Sequence, residues 1–141
     1  MKSKSLLLVL SICILNVQAI ACRCVPRTIK ESYSTAGIIV KATIIKAEQL
    51  PGNEINKYTG IVSYTYKGVT TSDTITVYAN VWGPSCGIRL DENETYLIYG
   101  STHITSLSDK LTEAPNAFWT NRCTRTKIYD EKEAKELMIL K

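Results

Sequence analysis

Histidine occurs once in the 141 residues, at His103, and neither a His-x-x-x-His nor a Cys-x-x-Cys spacing is present. A self-contained zinc enzyme therefore lacks ligands, because catalytic zinc takes three protein side chains. Glycine and proline are sparse, at seven and four residues, which removes collagen-like, linker-like and low-complexity readings. No apolar run reaches the ~20 residues that a membrane-spanning helix needs. No repeat of fixed period occurs, which sets aside solenoids and propellers. What is present, 45% hydrophobic and 21% charged residues, suits one globular domain and leaves no room for a second large one.

Lys2 and Lys4 precede a mostly apolar run from Leu6 to Leu15, and Ala19-Ile20-Ala21 supplies the small residues that signal peptidase reads. The expectation is an export signal over residues 1–21, cut after Ala21, and a secreted, extracellular domain over 22–141 that does not insert into a membrane. Lys2 and Lys4 leave with the signal, so fifteen basic residues face thirteen acidic ones. That near balance points to no nucleic-acid partner. Cys13 leaves too, and the four cysteines that remain, Cys22, Cys24, Cys86 and Cys123, predict two disulfides in an oxidising compartment.

Along the rest of the chain, Thr28 with Glu31 three residues later forms a capping-box pattern and predicts a short helix over Thr28 to Ser34. Gly37 to Ala47 alternates Ile39, Lys41, Thr43 and Ile45 against Ile38, Val40, Ala42 and Ile44, which predicts a long strand. Pro51-Gly52-Asn53 marks a loop. Two further β-rich runs follow, Tyr58 to Tyr66 and Thr74 to Val81, and then a pair, Thr95 to Tyr99 and His103 to Leu107, broken by Gly100-Ser101. Tyr129 to Leu140, acidic at its start and rich in helix formers, predicts a closing helix. A mainly β fold results, with five strands and helices at its two ends. Five short strands hide their apolar faces by curling into a small closed barrel of the OB-fold type, with a sandwich as the other solution.

The informative stretch is Cys22-Arg23-Cys24-Val25-Pro26, because the expected cut makes Cys22 the first residue and frees its α-amine. An α-amine has a pKa of about 8 and sheds its proton cheaply near neutrality, leaving a lone pair beside its own carbonyl oxygen. Such a pair can grip a metal. A catalytic zinc keeps one position open for water, and an amine and carbonyl placed there would expel the nucleophile. Rigidity has to come from covalent bonds, since a free terminus is poorly ordered. Cys22 and Cys24 cannot readily bridge each other across one residue, so each is expected to reach Cys86 or Cys123, closing loops worth on the order of 4 kcal/mol apiece.

The Cys-x-Cys-x-Pro start, the β-rich body, Ser85-Cys86-Gly87 and Tyr96-Leu97-Ile98-Tyr99-Gly100 resemble the netrin-like (NTR) inhibitory domain of the tissue inhibitors of metalloproteinases, over most of residues 22 to 123. The resemblance implies a five-stranded Greek-key OB-fold barrel and the pairing Cys22–Cys86 and Cys24–Cys123. It implies a metalloprotease inhibitor, not an enzyme, that carries no cofactor and acts as a monomer on a matrix metalloproteinase or related zinc protease. In that family the first residue sits over the protease zinc through its amine and carbonyl, the second enters the pocket just past the scissile bond, and the segment before the third cysteine rests on the other side. Those roles fall on Cys22, Arg23 and Gly83-Pro84-Ser85, with Cys24, Val25 and Pro26 continuing the edge.

The chain also departs from the family. Ser34 stands about where a third bridge usually begins, Arg27-Thr28-Ile29 replaces the usual His-Pro-Gln, the cysteine-rich second domain is missing, and Arg23 replaces a small or hydroxylated residue. A guanidinium sent into an apolar pocket loses hydration worth several kcal/mol unless an acid meets it, so selectivity for acidic or open pockets is expected. Asn93-Glu94-Thr95 is a glycosylation sequon. His103 carries no assigned role, and Trp82, Phe118 and Trp119 are read first as packing residues near the distal cysteines, with Trp82, four positions before Cys86, as the one that could instead line the inhibitory edge. The alternatives to inhibition are a non-inhibitory netrin-like module that serves as a secreted ligand for a cell-surface or immune receptor and, third, a glycan-binding barrel.

Overall fold

A computed structural model describes residues 22–52, 54–102 and 116–141. Two helices, α1 (Ile29–Thr35) and α2 (Glu131–Leu140), flank six strands: β1 (Ile38–Gln49), β2 (Ile55–Lys67), β3 (Thr74–Asn80), β4 (Thr95–Gly100), β5 (Ala117–Trp119) and β6 (Lys127–Ile128). All six belong to one sheet in the order β5-β3-β2-β1-β4-β6. The pairings are antiparallel except β3 with β5.

Four of the expected strands are thus present, within a few residues of the boundaries that the alternation gives. The predicted strand His103 to Leu107 lies outside the described residues, as do Asn53 of the Pro51 loop and the whole of 1–21. Among the described residues, β5 and β6 are additional. They hold three and two residues, too few to show a periodic pattern.

The sheet folds back on itself. Ser101, just past β4, exchanges two N–H···O bonds with Trp119 of β5, each 2.9 Å, so a strand paired with β3 on one side meets the end of β4 on the other. Gly100 sits at this seam. A Cβ there would approach Ile38 Cγ2 to 2.8 Å and Phe118 Cβ to 2.9 Å, closer than any side chain permits.

The curl creates an inside and an outside. Ile38, Val40, Ala42 and Ile44 of β1, Ile75, Val77 and Ala79 of β3, and Tyr96, Ile98 and Phe118 form the interior cluster, which takes in one of the two alternating faces of β1. The opposite phase is covered by the helices. Ile39, Leu97 and Tyr99 pack with Tyr66, Ala134 and Leu137, and with Ile29 and Tyr33. Burial of both phases explains why β1 opens as a continuous apolar run.

Both helices start as their sequences dictate. The Thr28 hydroxyl accepts from the Glu31 N–H at 3.2 Å while the Glu31 carboxylate accepts from the Thr28 N–H at 2.7 Å and from the Thr28 hydroxyl at 2.9 Å, and the latter two bonds hold the Glu31 carboxyl below its ordinary value. Asp130 caps α2 by accepting from the Lys132 and Glu133 N–H groups. Among the described residues no helix is long and apolar enough to cross a membrane.

Candidate functional site: a covalently braced ridge

Residues 22–28 form no regular element and run along one end of the sheet. Disulfides join Cys22 to Cys86 and Cys24 to Cys123, with Cα–Cα separations of 5.1 Å in each. This is the connectivity that the family resemblance implies. The two bridges lie against each other, Cys22 Sγ being 4.0 Å from Cys24 Sγ and 3.8 Å from Cys123 Sγ. Among the described residues these cysteines are the one group of metal-ligating type drawn together, with all four sulfurs inside 4.8 Å, and bonding in pairs leaves none as a free thiolate.

Each distal cysteine sits in a loop that is itself braced. The loop bearing Cys86 is held by Asn80, whose side-chain amide donates to the Ser85 carbonyl at 3.1 Å. Cys86 adopts the left-handed region, φ +59°, and Gly87 then passes so close to β3 that a Cβ would collide with the Val81 and Asn80 carbonyls. The loop bearing Cys123 is closed by Asn121, which accepts from the Cys123 N–H at 2.7 Å. Arg122 ties the two loops together. Its N–H donates to the Cys86 carbonyl at 3.0 Å, its side chain donates to the Gly83 carbonyl at 3.4 Å, and its guanidinium stacks 3.9 Å from the Trp82 ring centroid.

A further brace reaches the ridge from behind. Arg125 donates to the Arg27 carbonyl at 3.0 Å and grips Glu133 of α2 with bonds of 2.7 and 2.9 Å. Glu133 is buried, 3% exposed, and also accepts from the Tyr99 hydroxyl at 2.6 Å and the Lys127 ammonium at 3.2 Å. Burial by itself would raise the Glu133 carboxyl, but the bonds from Arg125, Tyr99 and Lys127 outweigh it and keep that carboxyl below its ordinary value. Tyr99 is pushed up, by burial first and by the adjacent carboxylate second.

The result is an edge whose anchors are fixed and whose tips face outward. Arg23, Val25 and Pro26 are exposed, Val25 to 75%, while Cys22 and Cys24 are half-buried. Beside them Pro84 and Ser85 are exposed and Gly83 is half-buried. The disulfides therefore bring together the two stretches, 22–26 and 83–85, that the sequence nominated. Asn93 lies elsewhere, in the exposed turn before β4, with φ +66° and its N–H bonded to the Ile44 carbonyl at 2.7 Å.

One expectation needs correcting. Trp82 is not a packing residue: it is 62% exposed and stacks on Arg122 at the rim of the ridge. Its place between a strand end and Gly83-Pro84 was the available signal, since a loop residue has less core to enter. Phe118 is buried in the interior cluster and Trp119 is half-buried. Arg122 and Arg125 were not foreseen, because arginines in a loop carry no periodic signature.

No protein-family model matches the chain, and no curated protein matches it at a significant level.

Proposed function

We propose that the chain is a secreted inhibitor of zinc metalloproteases built on a netrin-like OB-fold barrel, acting once residues 1–21 have been removed. The α-amine and carbonyl of Cys22 take the open position on the protease zinc, Arg23 enters the adjoining pocket, and Gly83-Pro84-Ser85 rest on the far side. The observation that carries this reading is the pair of disulfides joining Cys22 to Cys86 and Cys24 to Cys123. They fix, at an exposed edge, the residue that processing would make first.

Preorganisation is the physical advantage. A mobile terminus would lose its freedom on docking, at about 0.5–1.5 kcal/mol for each immobilised side chain, whereas a stapled one has lost it during folding. The closed seam between Ser101 and Trp119 supports the barrel, and the resemblance at Ser85-Cys86-Gly87 and Tyr96 to Gly100 supports the family.

Mass spectrometry of the secreted chain, with assays against a panel of zinc and serine proteases, tests this directly. The expected result is an unmodified Cys22 terminus and inhibition confined to zinc enzymes. A different or acetylated terminus, or equal action on serine proteases, contradicts it.

A further inference from the structure

The three stretches gathered at the ridge, residues 22–30, 81–90 and 120–129, hold seven of the fifteen basic residues that follow Ala21 and none of the thirteen acidic ones. The remainder of the domain, with eight basic and thirteen acidic residues, is net negative. Glu31, Asp91 and Asp130 follow these stretches directly, and Glu48, Asp91 and Glu92 line a cleft with Trp82, so the excess positive charge of the ridge rests on its unpaired arginines. Arg89, Arg125 and Lys127 pair with carboxylates from just outside these stretches. Arg23, Arg27 and Arg122 are exposed, and among the described residues no carboxylate lies within ion-pair distance of them. Trp82 and the Gly83 carbonyl hold the Arg122 guanidinium in place.

Like charges crowded at one end raise the free energy of the folded chain and are relieved when an opposite charge docks. Interspersed with them are Trp82 and Val25, 62% and 75% exposed. Aromatic and arginine side chains together are the composition of a protein interface core. A sulfated polysaccharide would need the cations alone.

We propose that this end of the molecule docks on an acidic protein surface. Resting on the inhibitor reading, the zinc proteases it captures fastest carry acidic side chains along the rim of the active-site cleft. Arg27 and Arg122 act on the encounter, outside the pocket that receives Arg23, so they set the association rate more than the lifetime of the complex.

The test measures association and dissociation rates of residues 22–141 with each protease it inhibits, at about 0.05 M and about 0.5 M NaCl, where the screening length falls several-fold. Association is expected to slow by roughly ten-fold or more with salt. Arg27→Glu and Arg122→Glu should each slow it several-fold at low salt with little change in dissociation. Arg122→Lys separates charge from architecture: a steering role keeps the fast association, and a purely structural role on Trp82 loses it. Salt-independent association with intact inhibition overturns the proposal and leaves the inhibitor reading standing. If no protease in the panel is inhibited, that reading fails, and retention on immobilised polyglutamate reports the surface by itself. Loss of retention in Arg27→Glu and Arg122→Glu is expected, and unchanged retention overturns the proposal. Salt-resistant retention on heparin, with salt-independent protease association, reassigns the cations to a sulfated polysaccharide and likewise overturns it.

Discussion

Arg125 donates to the carbonyl of Arg27, 3.0 Å away in space and 98 positions earlier in the chain, while its guanidinium is clamped on Glu133. One side chain therefore ties helix α2 to the segment that emerges as the ridge. The Arg125 backbone is left-handed, φ +81°, a conformation that costs a non-glycine residue about 1–3 kcal/mol and persists where surrounding bonds over-determine it.

Glu133→Gln removes the charge that Arg125, Lys127 and Tyr99 converge on. Breaking a buried pair from one side costs about 3 kcal/mol. A drop of that size in chemical denaturation is expected, together with faster amide hydrogen exchange over residues 23–28. A variant as stable as the parent, with an equally protected ridge, contradicts the brace.

Stability should also fall in acid, and the sign follows from the direction of the shift. The folded Glu133 carboxyl lies below its ordinary value of 4.5, so near that pH the unfolded chain binds more protons than the folded one. The contribution is complete above the ordinary value and is lost as pH falls through the folded one. Glu31 and Asp130, held low by their capping bonds and, for Asp130, first by Lys127, act in the same direction. The urea midpoint is expected to be flat from neutrality to about pH 5 and to decline below about pH 4.5, less steeply in Glu133→Gln. A midpoint that rises on acidification would contradict the network.

Cys24 and Cys123 are 99 positions apart, so their bond restrains the unfolded chain strongly. Replacing both with serine is expected to cost about 4.7 kcal/mol in the chain-entropy model. Because Cys22 stays bonded to Cys86, inhibition should weaken while the terminus remains partly held. Unchanged stability and unchanged inhibition would show that one bridge suffices.

Much of this architecture was legible in advance, for identifiable reasons. Ile38, Val40, Ala42 and Ile44 announce a strand by alternating with Ile39, Lys41, Thr43 and Ile45, and Thr28 with Glu31 announces a helix start by the spacing of a hydroxyl and a carboxylate. These signals are local. The Ser101–Trp119 seam, the short strands β5 and β6, and the Arg125–Glu133–Tyr99 network depend on residues brought together by the rest of the fold, so no window of sequence contains them. At the ridge, the residue types of 22–26 and 83–85 were readable, and the loop position of Trp82 left its exposure open, but its stacking on Arg122 was not readable.

Arg23 sets partner choice in this account. With no carboxylate of its own chain at ion-pair distance among the described residues, it must find one on the partner or pay several kcal/mol of lost hydration. Arg23→Thr is expected to improve inhibition of proteases with deep apolar pockets by ten-fold or more, since ~1.4 kcal/mol is a factor of ten, and to weaken inhibition of those with acidic pockets. Equal changes toward both kinds would remove Arg23 from the selectivity determinants.

The most direct measurement concerns the nitrogen of Cys22. One alanine added ahead of Cys22 in the mature chain leaves both disulfides and the fold in place but moves the free amine off the braced position. The account predicts that inhibition of zinc proteases falls by at least a hundred-fold, about 2.7 kcal/mol, with an unaltered melting temperature. Full inhibition by the extended chain would contradict it.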